Sequence, residues 1–262
     1  MATSTTYNFS SHETEKTPGA ALLLRRLKLV PDELELSKIF ALIDPRKLTK
    51  PTRIAFVNAH GFNLCYRNKT FLQHLVDCDF VFRDGSGMKI LCKMLGADPG
   101  LNLNGTDLIP RIINLYGGKN AALLGTSAPY LQRAAREFER KGVNPAVVMD
   151  GFHDDEEYLK AVQDRKLSLI VLAMGMPKQE RIAALLARNL RHPCLIVCGG
   201  AILDFIGGKV RRAPMIFRKL GIEWLYRLAQ EPKRLFRRYV IGNAVFLGRC
   251  AVLALSTAYL TK

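Results

Sequence analysis

Val81-Phe82-Arg83-Asp84-Gly85-Ser86-Gly87-Met88 is the stretch on which the fold turns. The apolar run Phe80 to Phe82 reads as a short buried strand. It stops at an acid, two glycines flank a serine, and Met88 to Leu95 continues with helical character. Strand, glycine turn and helix is how an α/β protein presents a reactive side chain at the carboxyl edge of its sheet. Asp84 stands at that edge. From its neighbours alone it has two readings. An Asp before Gly-Ser-Gly is by default a helix cap; it is also a potential general base if partial burial raises its pKa.

Working outward, the same alternation recurs. Upstream, Pro31-Asp32-Glu33-Leu34 looks like a helix start, Arg53 to Ala59 like a strand ending in polar residues, and Cys65 to Cys78 has helical spacing. Downstream, Asn104-Gly105-Thr106-Asp107 is a capped turn into a helix from Leu108 to Tyr116. Strands are expected at Ala121–Leu124, Pro145–Met149, Leu167–Ala173 and Cys194–Val197, separated by helices at Leu131–Arg140, Asp154–Gln163 and Gln179–Leu190. Short apolar runs alternating with helix-length segments predict an α/β fold, a Rossmann-like parallel sheet with helices on both faces.

The chain has 262 residues, enough for one large domain with a substantial core. Its net charge of +16 calls for a polyanionic partner or surface, leaving nucleic acid, anionic lipid and phosphorylated substrates open. Six cysteines form no CxxC pair and no zinc-ligand grouping, which points to buried free thiols in a reducing compartment. Residues 1–19 are polar and rich in Ser and Thr, a disordered lead-in with no signal pattern. An α/β core is expected over 20–208.

Past Gly208 the character changes. Between Phe205 and Val240 ten Lys or Arg residues face only Glu223 and Glu231, interleaved with Ile216, Phe217, Leu220, Trp224 and Leu225. Tyr239 to Leu260 is then apolar and long enough to span a membrane, except that Arg249 falls at its middle, where a charge costs roughly 2.5–3.5 kcal/mol. Residues 209–262 thus read as a basic, helical appendage lying at a membrane surface; spanning, or packing as a soluble helix, are the alternatives.

Several chemistries lack their motifs. There is no GxGxxG after the first strand and no GxxxxGK[ST], which argues against dinucleotide oxidoreductases and P-loop NTPases. The histidines are scattered, and Asp154-Asp155-Glu156-Glu157 reads as the acidic first turn of a helix rather than a metal cluster. Glycine turns at Gly125, Gly175 and Gly199-Gly200 fit a phosphate cradle, each weakly. Arg234, Arg237 and Arg238 are placed on one helical face after Pro232, suited to phosphate or to anionic headgroups.

The ordered set carries more than any member. Asn58-Ala59-His60, Asp84-Gly85-Ser86-Gly87, Asn104-Gly105-Thr106-Asp107-Leu108, Gly175-Met176-Pro177-Lys178-Gln179-Glu180, Gly199-Gly200-Ala201-Ile202-Leu203-Asp204, Arg212-Ala213-Pro214 and Glu223-Trp224-Leu225-Tyr226-Arg227-Leu228 with Glu231-Pro232-Lys233-Arg234 follow one another. This set resembles the WecG/TagA/CpsF family of bacterial glycosyltransferases, from about Arg53 to Phe246. The resemblance implies a metal-independent, inverting transfer, without a cofactor, from a UDP-sugar to a polyprenyl-diphosphate-linked saccharide at the cytoplasmic face of the membrane. It implies Asp84 as general base and Arg227, Arg234 and Arg237 as contacts to the diphosphate. Gln179, Glu180 and Asp204 are implied to line the nucleotide-sugar pocket, and Asn58, Asn104, Thr106, Asp107, Gly125 and Gly200 to belong to the substrate site. Phe56 and Asn102 depart from the threonine and arginine that some members carry at these places, so the donor sugar does not transfer from them. A basic nucleic-acid-binding α/β protein is the rival reading; the lack of an aromatic RNA-binding motif counts against it.

Overall fold

The computed structural model describes residues 18–260. The expected disordered lead-in lies outside them except for Pro18 and Gly19, which open the helix α1 (Pro18–Arg26). Helix α2 (Glu33–Leu42) starts where the sequence indicates, with the Asp32 carboxylate accepting from the Glu35 N–H at 2.8 Å.

The six strands are β1 (Thr52–Val57), β2 (Phe80–Arg83), β3 (Asn120–Gly125), β4 (Asn144–Met149), β5 (Leu169–Ala173) and β6 (Leu195–Cys198). They form one sheet in the order β2-β1-β6-β5-β3-β4, with every pair parallel. Between them run α3 (Ala59–Cys65), α4 (Lys69–Val76), α5 (Gly85–Met94), α6 (Gly105–Leu115), α7 (Tyr130–Arg140), α8 (Asp155–Val162) and α9 (Lys178–Asn189); α10 (Ile202–Ile206) follows β6.

Alternation along each strand sorts the core into two halves. Ala55, Val57, Val81, Leu172 and Ile196 face one side, with Phe62, Leu75, Met88, Tyr158 and Ile182 from α3, α4, α5, α8 and α9. Phe56, Phe82, Leu123, Val171 and Val197 face the other, with Leu36, Ile112, Phe138 and Leu203 from α2, α6, α7 and α10. Helix α3 after β1 and helix α10 after β6 therefore leave for opposite faces. Adjacent strands whose continuations diverge open a crevice at the carboxyl edge, where ligands of open α/β sheets bind.

Two local details differ from the sequence reading. The first strand ends at Val57, because Asn58 stays extended and its side-chain oxygen accepts from the Gly61 N–H at 3.1 Å, starting α3 at once. Helix α5 begins at Gly85, three residues earlier than expected, on a glycine with φ of 81°. The acidic run at 154–157 is a helix start as read: Glu157 accepts from the Asp154 N–H at 2.9 Å. All six cysteines are free and buried.

After Gly208 the chain forms α11 (Met215–Lys219), α12 (Glu223–Gln230), α13 (Pro232–Phe236), a π turn (Arg237–Ile241) and α14 (Gly242–Leu260). Helix α14 packs against α3 and α5. Its Phe246, Cys250 and Leu253, spaced at i, i+4 and i+7, enter the first core half, and the Phe246 ring meets Phe62 edge-on at 5.4 Å. Side chains of that size contribute about 1.5–3 kcal/mol each when fully buried. Arg249 does not stand alone in the helix: it donates to Asn63 O at 3.0 Å and Asn63 Oδ1 at 2.8 Å, and lies 4.0 Å from the centre of the Tyr66 ring. The outward face is apolar, with Leu247, Val252 and Leu255 exposed. Residues Pro232–Ser256 are long and apolar enough to cross a membrane.

Candidate active site

Strand β2 pairs with β1 up to Val57 opposite Arg83, and the Asp84 N–H extends that ladder to Val57 O at 2.7 Å. Asp84 and Asn58 are thus neighbours because each is the first residue past its strand. Asp84 occupies the cap position of α5, yet its carboxylate makes no capping hydrogen bond. The default reading of an Asp before Gly-Ser-Gly fails here. The carboxylate instead accepts from the side chain of Asn58, whose oxygen is already engaged by Gly61.

Burial pushes the Asp84 pKa up; the Asn58 hydrogen bond and the charges of Arg238 and Arg227 oppose this, while Glu223 adds to it. The balance remains upward, which suits a carboxylate that must take a proton near neutrality. Arg238 lies half-buried beside it, and desolvation and Arg227 lower its pKa while Tyr239 and Asp84 raise it. The Nε atoms of Arg227 and Arg238 are buried and have no hydrogen-bond partner. Buried guanidinium donors left open at the mouth of a crevice are anion sites in waiting, because such groups are costly to leave unpaired. His60 is held neutral, its pKa pushed down to about 4 by burial and then by Arg238.

The arm reaches this place because it rests on the Asp84 turn. Gly221 takes φ of 71°, and a Cβ there would stand 3.2 Å from Ser86 Cβ. Of the arginines named from the sequence, the structure brings Arg227 and Arg238 to Asp84. Arg234 is exposed and pairs with Glu231, within electrostatic range of Arg238, and Arg237 is exposed. The expected single arginine face is broken: at the π turn Arg238 points inward and its neighbour Arg237 outward. An i→i+5 turn shifts helical phase, which a 3.6-residue spacing does not anticipate.

A second group surrounds Asp107. Asn104, not Asp107, caps α6, its Oδ1 accepting from Asp107 N at 2.9 Å and from Thr106 Oγ1 at 2.6 Å. Asp107 accepts from Asn104 Nδ2 at 2.7 Å, pairs closely with Arg212 and lies 3.4 Å from Arg218. Burial alone would raise its pKa, but the hydrogen bonds from Arg212 and Asn104 and the charges of Arg212 and Arg218 hold it below the ordinary value. Asp107 therefore fastens the arm to the core, and two arginines not assigned roles from sequence, Arg212 and Arg218, belong to the site. For Arg212 the signal was the Arg212-Ala213-Pro214 element.

The remaining residues lie along the same edge. Gly125, with φ of 141°, lies so close to β5 that a Cβ would stand 2.4 Å from Ala173 O. Thr126 beside it, at φ of 51°, donates to Asp204, which also has Lys209 at 3.3 Å. Gln179 and Glu180 are each only 1% exposed. Gln179 Oε1 accepts from Gly200 N at 2.9 Å and its Nε2 donates to Glu180 Oε1 at 2.8 Å, so the pair supports the β6 turn from beneath. Glu180 Oε2 has no partner, and burial raises this carboxyl to about 7 against the Gln179 hydrogen bond. The two departures from the family pattern are taken up by the protein itself: Phe56 is buried against Phe82, and Asn102 accepts from Arg83 at 3.3 Å.

A parallel sheet with a carboxylate of raised pKa, its amide partner and arginine donors at the carboxyl edge is the arrangement expected of an α/β group-transfer enzyme. The family model described as "Glycosyl transferase WecG/TagA/CpsF family" matches residues 26–258. The chain belongs to that family and is a glycosyltransferase.

Proposed function

We propose that this enzyme transfers a sugar, with inversion, from a UDP-sugar to a polyprenyl-diphosphate-linked saccharide at the cytoplasmic face of a bacterial membrane, in the assembly of a surface polysaccharide. The observation that carries the reading is Asp84: a carboxylate at the sheet edge that caps nothing, is oriented by Asn58 and faces Arg238 and Arg227. Asp84 takes the proton of the acceptor hydroxyl as that oxygen forms its bond to the anomeric carbon. The bond from that carbon to the UDP oxygen breaks, and UDP leaves with the electron pair. Charge growing on the diphosphate is met by Arg227 and Arg238, whose open donors lie in a desolvated site where such stabilisation is strongest. The same arginines take the place of a metal ion in this scheme.

The exposed apolar face of α14, continued by Phe236, Val240 and Ile241 next to Lys233, Arg234 and Arg237, suits an anionic bilayer surface. Because Arg238 and Arg227 sit on this same arm, association with the membrane would set the geometry of the site where the lipid acceptor is found.

The test is a donor screen. The full chain is incubated with a panel of UDP-sugars and lipid-linked acceptors, and the lipid product is weighed by mass spectrometry. A product heavier by one sugar, formed in EDTA, is expected. No product from any UDP-sugar, with UDP binding absent as well, would overturn the reading.

A further inference from the structure

A pocket of about 180 Å3 lies between α6 and α10, under residues 210–212. Its wall is apolar: Pro110, Ile202, Phe205, Ile206 and Val210. Engineered cavities of about 150 Å3 hold benzene, so the space admits a five-carbon hydrocarbon unit. Two guanidinium groups border it. Arg212 lines the pocket, and Arg227 lies over the Phe205 ring at 5.2 Å. Both carry a buried Nε without a partner. Arg227 also acts on Asp84, so the order in space is apolar pocket, cation pair, base.

That order fits one kind of ligand, an apolar chain joined to an anionic head. A nucleobase fits it poorly, because base edges need paired donors and acceptors. The Thr106 hydroxyl already donates to Asn104, and the only other polar lining group, Arg212, is committed to Asp107 through its terminal nitrogen. We infer that this pocket receives the first isoprenyl unit of the lipid acceptor, with its diphosphate on the open Nε of Arg212 and its saccharide directed past Arg227 to Asp84. The inference rests on the proposed acceptor class and adds where the lipid enters the protein. It separates recognition of the lipid's first carbons from adhesion of α14 to the bilayer.

The test is a binding comparison in solution, free of membrane, by calorimetry on the full chain with geranyl diphosphate and inorganic pyrophosphate. Burial of one isoprenyl unit is expected to make geranyl diphosphate bind at least about tenfold more tightly. Ile206→Trp, which fills the pocket, should erase the difference while leaving pyrophosphate affinity unchanged. Ile206→Ser, which keeps the space but wets it, should reduce the difference and serves if the tryptophan variant does not fold. Equal binding of the two ligands by the wild type would overturn the inference, as would a folded Ile206→Trp protein that still prefers geranyl diphosphate. A weakened affinity for UDP in that variant would overturn it too, by giving the pocket to the donor. Failure of every UDP-sugar to support transfer would instead strike the proposed reaction, while the binding difference still decides the pocket.

Discussion

The sheet and the C-terminal arm solve opposite problems. The inner strands of the sheet bury their apolar side chains; β5 and β6 are buried at every position, while the edge strand β4 has no buried residue. It offers water a carboxylate, amides and glycine turns. The arm carries the cations and leaves Met215, Ile216, Leu220, Phe236, Val240 and Ile241 exposed, with no fully buried residue in α11 or α12. Yet the two are not independent units. Asp107 is gripped by Arg212 and Arg218, Gly221 rests on Ser86, and Phe246 lies in the core beside Phe62. In the proposed mechanism the sheet supplies the proton acceptor and the arm supplies the positive charge. Neither half has both.

The sharpest way to break this division is at the base. Asp84→Asn keeps the Asn58 neighbourhood and removes the proton acceptor, so turnover should fall by about 10²–10⁴ while UDP affinity stays within about twofold. Steady-state kinetics beside calorimetry measures both, and a wild-type rate would remove Asp84 from the mechanism. On the arm's side, Arg238→Ala should lower kcat by about 10²–10³. Arg237→Ala, one residue away but exposed, should change it by less than about threefold. Equal losses at the two positions would mean that the arm rearranges on substrate binding.

Glu180 tests the foundation rather than the chemistry. Its pKa is raised from 4.5 in the ordinary state to about 7 in the folded protein. The folded state then holds a proton that the unfolded state has released, so the contribution of Glu180 to stability is greatest below about pH 4.5, declines as pH rises and levels off above about pH 7. Glu180→Gln removes that decline. Against wild type it should gain up to about 3 kcal/mol at pH 8, visible as a rise in Tm, with little difference at pH 4.5. A pH-independent difference would show that the carboxyl does not titrate in this range. The smallest catalytic effect belongs to Arg249→Leu. Losing the bonds to Asn63 should leave activity in detergent within about threefold but loosen α14 from α3 and favour its insertion, because the central charge is gone. Carbonate extraction of membranes reads this out: the variant should resist extraction more than wild type, and identical extraction would show that Arg249 does not restrain the helix.

These contrasts also mark what could be read in advance. Strand positions and the two-sided helix cover followed from apolar runs and glycine turns, since a parallel strand buried on both faces cannot be written otherwise. Asp32, Asn104 and Glu157 announced their helix starts because capping is a contact over three residues. Asp84 was ambiguous because cap and base share one local sequence; what separates them is the direction of one side chain. Arg238 was grouped with Arg234 and Arg237 on one basic face, and that it alone of the three turns inward could not be read, because a π turn leaves no mark in a 3.6-residue pattern. Gln179 and Glu180 were expected to line the pocket, and burial places them beneath it.

The sequence by itself determined the alternating α/β order, the family, and the separation of an acid-bearing sheet edge from an arginine-rich tail. Those are properties of neighbours and of composition. Tertiary structure alone decided which arginines meet Asp84, that Asp107 is a fastener, and that Arg249 is satisfied by a helix 186 residues earlier in the chain. Such contacts join residues far apart in sequence, and their outcome depends on packing and on how much water each charge keeps.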